Sequence, residues 1–140
     1  MRTLTTAAAI AMLCGCAAST SIEQATPTPH ERLFATQQSS TGAEAQITVF
    51  REGVFGGSAC YLGIYVDGEL VARMDANEKS VFRIRSGKRL VGVGVDPQGR
   101  GVCAGRAGFK QEVATLIEPG EKQTFRIPGD GTLNIRQASY

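Results

Sequence analysis

Thiols are the side chains in this chain with the clearest chemistry, and there are four among 140 residues: Cys14, Cys16, Cys60 and Cys103. Cys14 and Cys16 sit directly behind an apolar run near the start, whereas Cys60 and Cys103 lie far into the body. An isolated pair in a small exported domain is most simply a disulfide. Closing a loop of 44 positions, both cysteines counted, would contribute about 4 kcal/mol in the chain-entropy account, less any native strain. The pair lacks the Cys-X-X-Cys spacing that commonly lowers a thiol pKa, so a structural role outweighs a redox one. The sole histidine, His30, precedes the body of the domain and removes His-dependent triads and multi-His metal sites from consideration there. Asp67, Asp96 and Asp130 stand beside Gly or Pro, where a carboxylate bonds nearby backbone amides. The glycines of 99–108 match neither G-x-G-x-x-G nor a phosphate loop ending in Lys-Ser/Thr. No catalytic residue, metal site or cofactor is therefore expected.

The elements that must position these thiols begin with residues 1–15. Arg2 supplies a positive charge, and 4–13 is an apolar run suited to an export signal but too short to cross a bilayer. Leu13-Cys14-Gly15-Cys16 then resembles the bacterial lipobox: an aliphatic residue, two small residues and the cysteine to be modified. The resemblance implies cleavage before Cys16, a thioether-linked diacylglycerol on its sulfur and an acyl chain on the freed amine. Cys14 would leave with the signal. The plainer alternative is an ordinary cleaved signal that happens to contain cysteine. Each buried methylene contributes roughly 0.8 kcal/mol, so two or three chains on one residue would anchor the protein durably. Ala17 rather than Asp at the following position implies the outer membrane, facing the periplasm.

Composition bounds the rest. A mass of 14.8 kDa with 42% hydrophobic and 20% charged residues fits one globular domain and excludes a collagenous or highly charged disordered chain. Fifteen basic against thirteen acidic residues give +2, which points to no nucleic-acid partner. Residues 16–45 are rich in Ala, Ser, Thr, Gln and Pro, and are expected to form the lipidated N-terminus and a flexible tether. Its coil would reach roughly 30 Å on average. Within it, Glu31 to Gln38 could form one short helix or dock through Leu33 and Phe34.

From 46 to 140 the pattern changes to short β-branched and aromatic segments between Gly, Pro and Asp turns. Strands are expected at 47–51, 61–66, 70–74, 80–85, 89–95, 111–117, 123–127 and 132–136. A three-residue loop at Asp67-Gly68-Glu69 would pair Val66 with Leu70, Ile64 with Ala72 and Leu62 with Met74 on one face. Phe82 and Ile84 would point inward opposite Val91 and Val93 across a second turn at Ser86-Gly87, and Pro119-Gly120 would turn the next pair. Seven or eight such strands suit an all-β, antiparallel β-sandwich; an incomplete barrel is the alternative.

Val49-Phe50-Arg51, Gly57-Ser58-Ala59-Cys60, Ile64-Tyr65-Val66-Asp67-Gly68-Glu69 and the Ser86-Gly87 turn together resemble a family of small bacterial envelope lipoproteins with a PEGA-like domain of unknown function. The resemblance implies a sandwich on a lipid tether and supplies no catalytic residues; Ser86-Gly87 stands where many relatives have Pro-Gly. Arg83, Arg85, Lys88, Arg89, Arg100 and Arg106 form a candidate basic face for phosphate headgroups or an acidic partner, against the plainer reading of dispersed solubilising charge. The functional expectation is a noncatalytic, lipid-anchored envelope module that contacts another envelope protein. A peptidoglycan- or carbohydrate-binding module is the second reading, weakened by the absence of Trp, and an envelope hydrolase the third.

Overall fold

In β2 (Glu44–Arg51) the buried residues Ala45, Ile47 and Val49 alternate with the partly exposed Gln46 and Thr48, a period of two that turns one face of a strand toward a core. The same logic organises β1 (Thr26–Pro27), β3 (Leu62–Val66), β4 (Glu69–Met74), β5 (Glu78–Arg85), β6 (Gly87–Val95), β7 (Lys110–Ile117), β8 (Lys122–Ile127) and β9 (Arg136–Gln137). The computed structural model describes residues 21–34, 44–53, 59–105, 108 and 110–139. The candidate signal peptide, Cys16 and Arg106 lie outside the described residues.

The strands form two packed sheets, one ordered β1-β5-β2-β8-β9 and the other β4-β3-β6-β7, an all-β sandwich as the alternation predicts. Ile47, Val49, Phe125 and Ile127 of the first sheet meet Ile64, Met74, Val91 and Val93 of the second, all essentially without solvent contact. The sandwich is not wholly antiparallel. β2 runs parallel to β8, and β1 parallel to β5.

Two expected hairpins are corrected. β5 and β6 follow each other through Ser86 but belong to opposite sheets, as do β7 and β8 across Pro119-Gly120. Phe82 is buried and Arg83 and Arg85 are exposed, so the predicted facing holds. Val91 and Val93 meet that inward face from across the core rather than from a neighbouring strand. Pro119-Gly120 is a turn, with Gly120 at φ 80° and the Glu121 amide donating to the Glu118 carbonyl at 3.0 Å.

The β3–β4 hairpin is real, and two of its three predicted pairs are observed: Leu62 with Met74 and Ile64 with Ala72. Its turn has two residues, Asp67 at φ 50° and Gly68 at φ 83°, both in the left-handed region that tight hairpin turns demand. The shorter turn pairs Tyr65 with Leu70 and Val66 with Glu69, offsetting the register by one residue. A bulge absorbs that offset: Val71 is inserted between Leu70 and Ala72, and Val71 and Ala72 are both buried. The last expected strand, 132–136, contracts to β9. Ile135 still enters the core, while Asp130 accepts bonds from the Thr132 amide and hydroxyl.

Of the tether expected over 16–45, the described residues 21–34 are docked rather than free, and Leu33 and Phe34 dock as the alternative reading has it. Residues 21–34 form a strap laced to both sheets. Thr26 and Pro27 pair with Glu78 and Lys79 of the first sheet, and Leu33 bridges Ala72 of the second. Ala25 and Thr28 are buried, Ser80 Oγ donates to Thr28 Oγ1 at 2.7 Å, and the Phe34 amide donates to the Val71 carbonyl at 2.9 Å. Between these attachments a 3-10 turn over His30–Arg32 carries the chain from the first sheet to the second. Edge strands need cover, and the strap satisfies edge groups that water or another chain would otherwise take.

Phe125 is the largest wholly buried side chain among the described residues. Replacing it by Ala is expected to lower unfolding free energy by about 3–5 kcal/mol, read as a reduced urea midpoint at unchanged slope. A loss below about 1 kcal/mol would show that the two sheets do not close on this residue.

Candidate functional site

β2 ends on an anomaly. Its inward phase runs Ala45, Ile47, Val49, Arg51, so the fourth inward residue is a guanidinium, 6% exposed. Arg51 Nη1 donates to the Met74 carbonyl at 2.7 Å and to the Cys60 carbonyl at 3.0 Å. Burial lowers its pKa, opposed by the nearby Asp75 and Glu78 carboxylates, yet an arginine remains charged at any physiological pH.

Directly opposite Arg51 in the β2–β5 register is Glu78, also buried. Glu78 receives the strap. Arg32 donates Nη1 to its Oε2 at 2.8 Å and Nη2 to its Oε1 at 2.5 Å, a fork that matches two carboxylate oxygens. The same Nη1 donates to the Arg73 carbonyl at 3.0 Å, and the Asp75 amide donates to Glu78 Oε2 at 2.8 Å. One carboxylate therefore joins the strap, β5 and the β4–β5 turn. Hydrogen bonding to Glu78 raises the Arg32 pKa further, against the opposing effect of burial.

A second fork lies alongside. Arg73 donates Nε to Asp96 Oδ1 at 2.7 Å and Nη2 to Oδ2 at 2.5 Å. Burial pushes the Asp96 carboxyl upward, but the Arg73 bonds and charge, with the Gln98 amide, together outweigh it and hold the pKa low. The Tyr61 ring joins the two forks, with the Arg32 and Arg73 guanidinium carbons 4.5 and 5.1 Å from its centroid.

Tyr61 follows Cys60, and the expected Cys60–Cys103 disulfide is present, with the two Cα atoms 5.3 Å apart. It ties the start of β3 to a 3-10 turn over Gly101–Cys103. Gly99 packs so closely beneath that turn that a Cβ there would lie 2.1 Å from the Cys103 carbonyl oxygen, which only glycine avoids. Such an end of the molecule can bind and orient chain segments. It offers charged forks already satisfied by protein partners rather than a nucleophile beside a base. Among the described residues, no three His, Cys, Asp or Glu side chains group as a metal ion would need.

The five described residues of the sequence-selected basic set do not share one face. Arg83, Arg85 and Arg89 line a groove of about 220 Å³ at the opposite end of the sandwich, with Phe34, Leu70 and Ile84. There Arg89 is committed to the hairpin turn, donating to Asp67 Oδ2 at 2.9 Å and to the Arg85 and Ser86 carbonyls. Lys88 is exposed on the strand pair that also shows Leu90 and Leu116 to solvent. Arg100 is exposed at the disulfide end. Asp67 and Asp96 both serve turns: Asp67 accepts from the Leu90 amide at 3.0 Å and Asp96 from the Gln98 amide at 3.0 Å. His30 is exposed on the strap.

The residues that sequence reasoning missed are Arg32, Arg51, Tyr61, Arg73 and Glu78. A signal for two of them was available, since Arg51 and Glu78 fall in the inward phase of strands whose other inward positions include Ile47, Val49 and Phe82.

Asp96→Ala strands Arg73 and is expected to cost about 2–3 kcal/mol, below the range for wholly buried pairs because Arg73 keeps some solvent. A carboxylate whose folded pKa is depressed stabilises the fold above its unfolded pKa and ceases to do so as pH falls through the folded one. The difference between wild type and Asp96→Ala should therefore shrink below about pH 4. Urea titrations at pH 7 and pH 3 read both; an equal gap at the two values would contradict the assignment.

No protein-family model matches the chain, and no curated protein matches it.

Proposed function

We propose that this chain is a lipid-anchored bacterial envelope protein whose noncatalytic β-sandwich serves as a protein-interaction module. The observation that carries the reading is the Leu13-Cys14-Gly15-Cys16 tetrad behind a short apolar run and a positive charge. The Cys60–Cys103 disulfide supports it, because such bonds persist in oxidising compartments outside the cytosol. The outer membrane, facing the periplasm, is the expected site, from Ala17 after the anchor cysteine. A PEGA-like family membership remains part of the same proposal.

Contact with a partner would use the open edge of the second sheet. β4 is covered by Leu33 and Phe34, whereas β7 presents eight residues whose outer edge pairs with no strand among the described residues. Beside that edge, Leu116 is 58% and Leu90 43% exposed. An unpaired edge with apolar neighbours is the geometry that accepts an added strand. Acyl burial would fix the protein to its membrane, so that such contacts form at high local concentration. Two of the three tyrosines are engaged within the protein, Tyr61 between two guanidinium groups and Tyr65 4.6 Å from the Lys110 ammonium, which favours a protein partner over a stacked sugar.

Mass spectrometry of the mature N-terminus tests the reading. The expected product begins at Cys16 and carries fatty acyl mass, and either Cys16→Ser or globomycin leaves the leader uncleaved. A retained leader in untreated wild type, or a bare Cys16, would overturn the anchor.

A further inference from the structure

The end of the sandwich that holds the Arg32–Glu78 fork is also the end from which the chain departs toward its N-terminus. β1 runs parallel to β5 with Thr26 opposite Glu78, so residues before Thr26 lie beyond the first residue of β5. Lys79 Nζ donates to the Ile22 carbonyl at 3.0 Å, keeping the departing chain there. Arg51, opposite Glu78, donates to the Cys60 carbonyl, which places the disulfide at this same end. Next to Cys103 stands Val102, the most exposed large apolar side chain described, at 91%, and two residues earlier is the exposed Arg100.

The turn that shows Val102 is held from three sides. The disulfide ties Cys103 to Cys60, Gly99 packs against the Cys103 carbonyl, and Asp96, clamped by Arg73, receives the Gln98 amide. An exposed valine on a loop so fixed is presented at no cost in chain ordering when it meets a partner.

We propose that this clamped turn is the face the domain sets against the bilayer holding its anchor, with Val102 entering the headgroup–acyl boundary and Arg100 meeting lipid phosphates. The proposal rests on acylation of Cys16. With the strap docked, five peptide steps separate Cys16 from Ser21, a reach of at most roughly 18 Å. The turn shares the strap's end of the molecule, so the tether confines it to the membrane surface. One valine and one arginine would bind lipid weakly alone; attachment makes the contact intramolecular, where weak contacts suffice. Under this orientation the groove at Arg83, Arg85 and Arg89 faces away from the membrane.

The chain contains no tryptophan, so Val102→Trp creates a unique fluorophore. Leu116→Trp is the control, since Leu116 pairs with Lys88 at the far end of the strands. Each full-length variant is acylated in cells and reconstituted in phosphatidylethanolamine/phosphatidylglycerol vesicles with and without brominated acyl chains. Acylation is measured by mass on the same sample, and folding by an intact disulfide and an unchanged circular dichroism spectrum. The expected result is a blue-shifted emission at position 102 that brominated lipid quenches, with emission at position 116 neither shifted nor quenched. Acylated, folded Val102→Trp with water-like, unquenched emission overturns the membrane-facing turn while leaving the anchor standing. Equal quenching at both positions also overturns it, and protein lacking acyl mass overturns the anchor and the turn together.

Discussion

The Glu78 carboxylate is the point on which the arrangement of this domain depends. It accepts both arms of Arg32, receives the Asp75 amide and lies opposite Arg51 across the β2–β5 pair. A buried carboxylate survives only where donors and opposite charge replace lost hydration, and here the strap supplies the main ones. The strap in turn holds its place because Ala25 and Thr28 are small enough to enter the edge of the first sheet while Leu33 reaches the second. Charge and packing thus fasten the same segment, and removing either leaves the other with unpaired groups.

That fastening changes what an anchor on Cys16 would do. A freely coiling arm would let the sandwich explore its surroundings in any orientation. With that anchor, a docked strap would instead set one end of the molecule near the membrane and leave the β7 edge and the arginine-lined groove as lateral and distal surfaces. The disulfide belongs to this oriented end rather than to the core, joining the exposed turn to the peptide that carries Tyr61. Its contribution is therefore local as well as global: it fixes the shape of a loop that few apolar contacts would hold.

The inward and outward faces of the strands were legible because a strand's period of two leaves a clear mark in Ile47-Val49, Ile64-Val66 and Val91-Val93. Which strands pair was less legible. Phe82 and Ile84 show the same alternation whether Val91 and Val93 lie beside them or across the core, so the passage from one sheet to the other at Ser86 leaves no local trace. The bulge at Val71 was hidden for a related reason: a three-residue loop and a two-residue turn with one inserted residue bury the same Ile64-Ala72 and Leu62-Met74 pairs. The strap was legible only at Leu33 and Phe34, which meet the second sheet; its contacts to the first come from Ala25, Thr28 and Arg32, which make no apolar stripe. At the candidate site, the cysteine pair was readable from compartment chemistry, whereas the two forks join residues up to 46 positions apart and have no linear signature.

The most direct measurement is hydrogen exchange at single amides of the strap in the full-length protein. The amides of Thr26, Thr28 and Phe34 donate to the Asn77, Lys79 and Val71 carbonyls, and the account predicts that they exchange slowly, together with those of the strands they meet. Exchange at the rate of an unstructured peptide at all three, with the core strands still protected, would show a free arm and contradict the oriented domain.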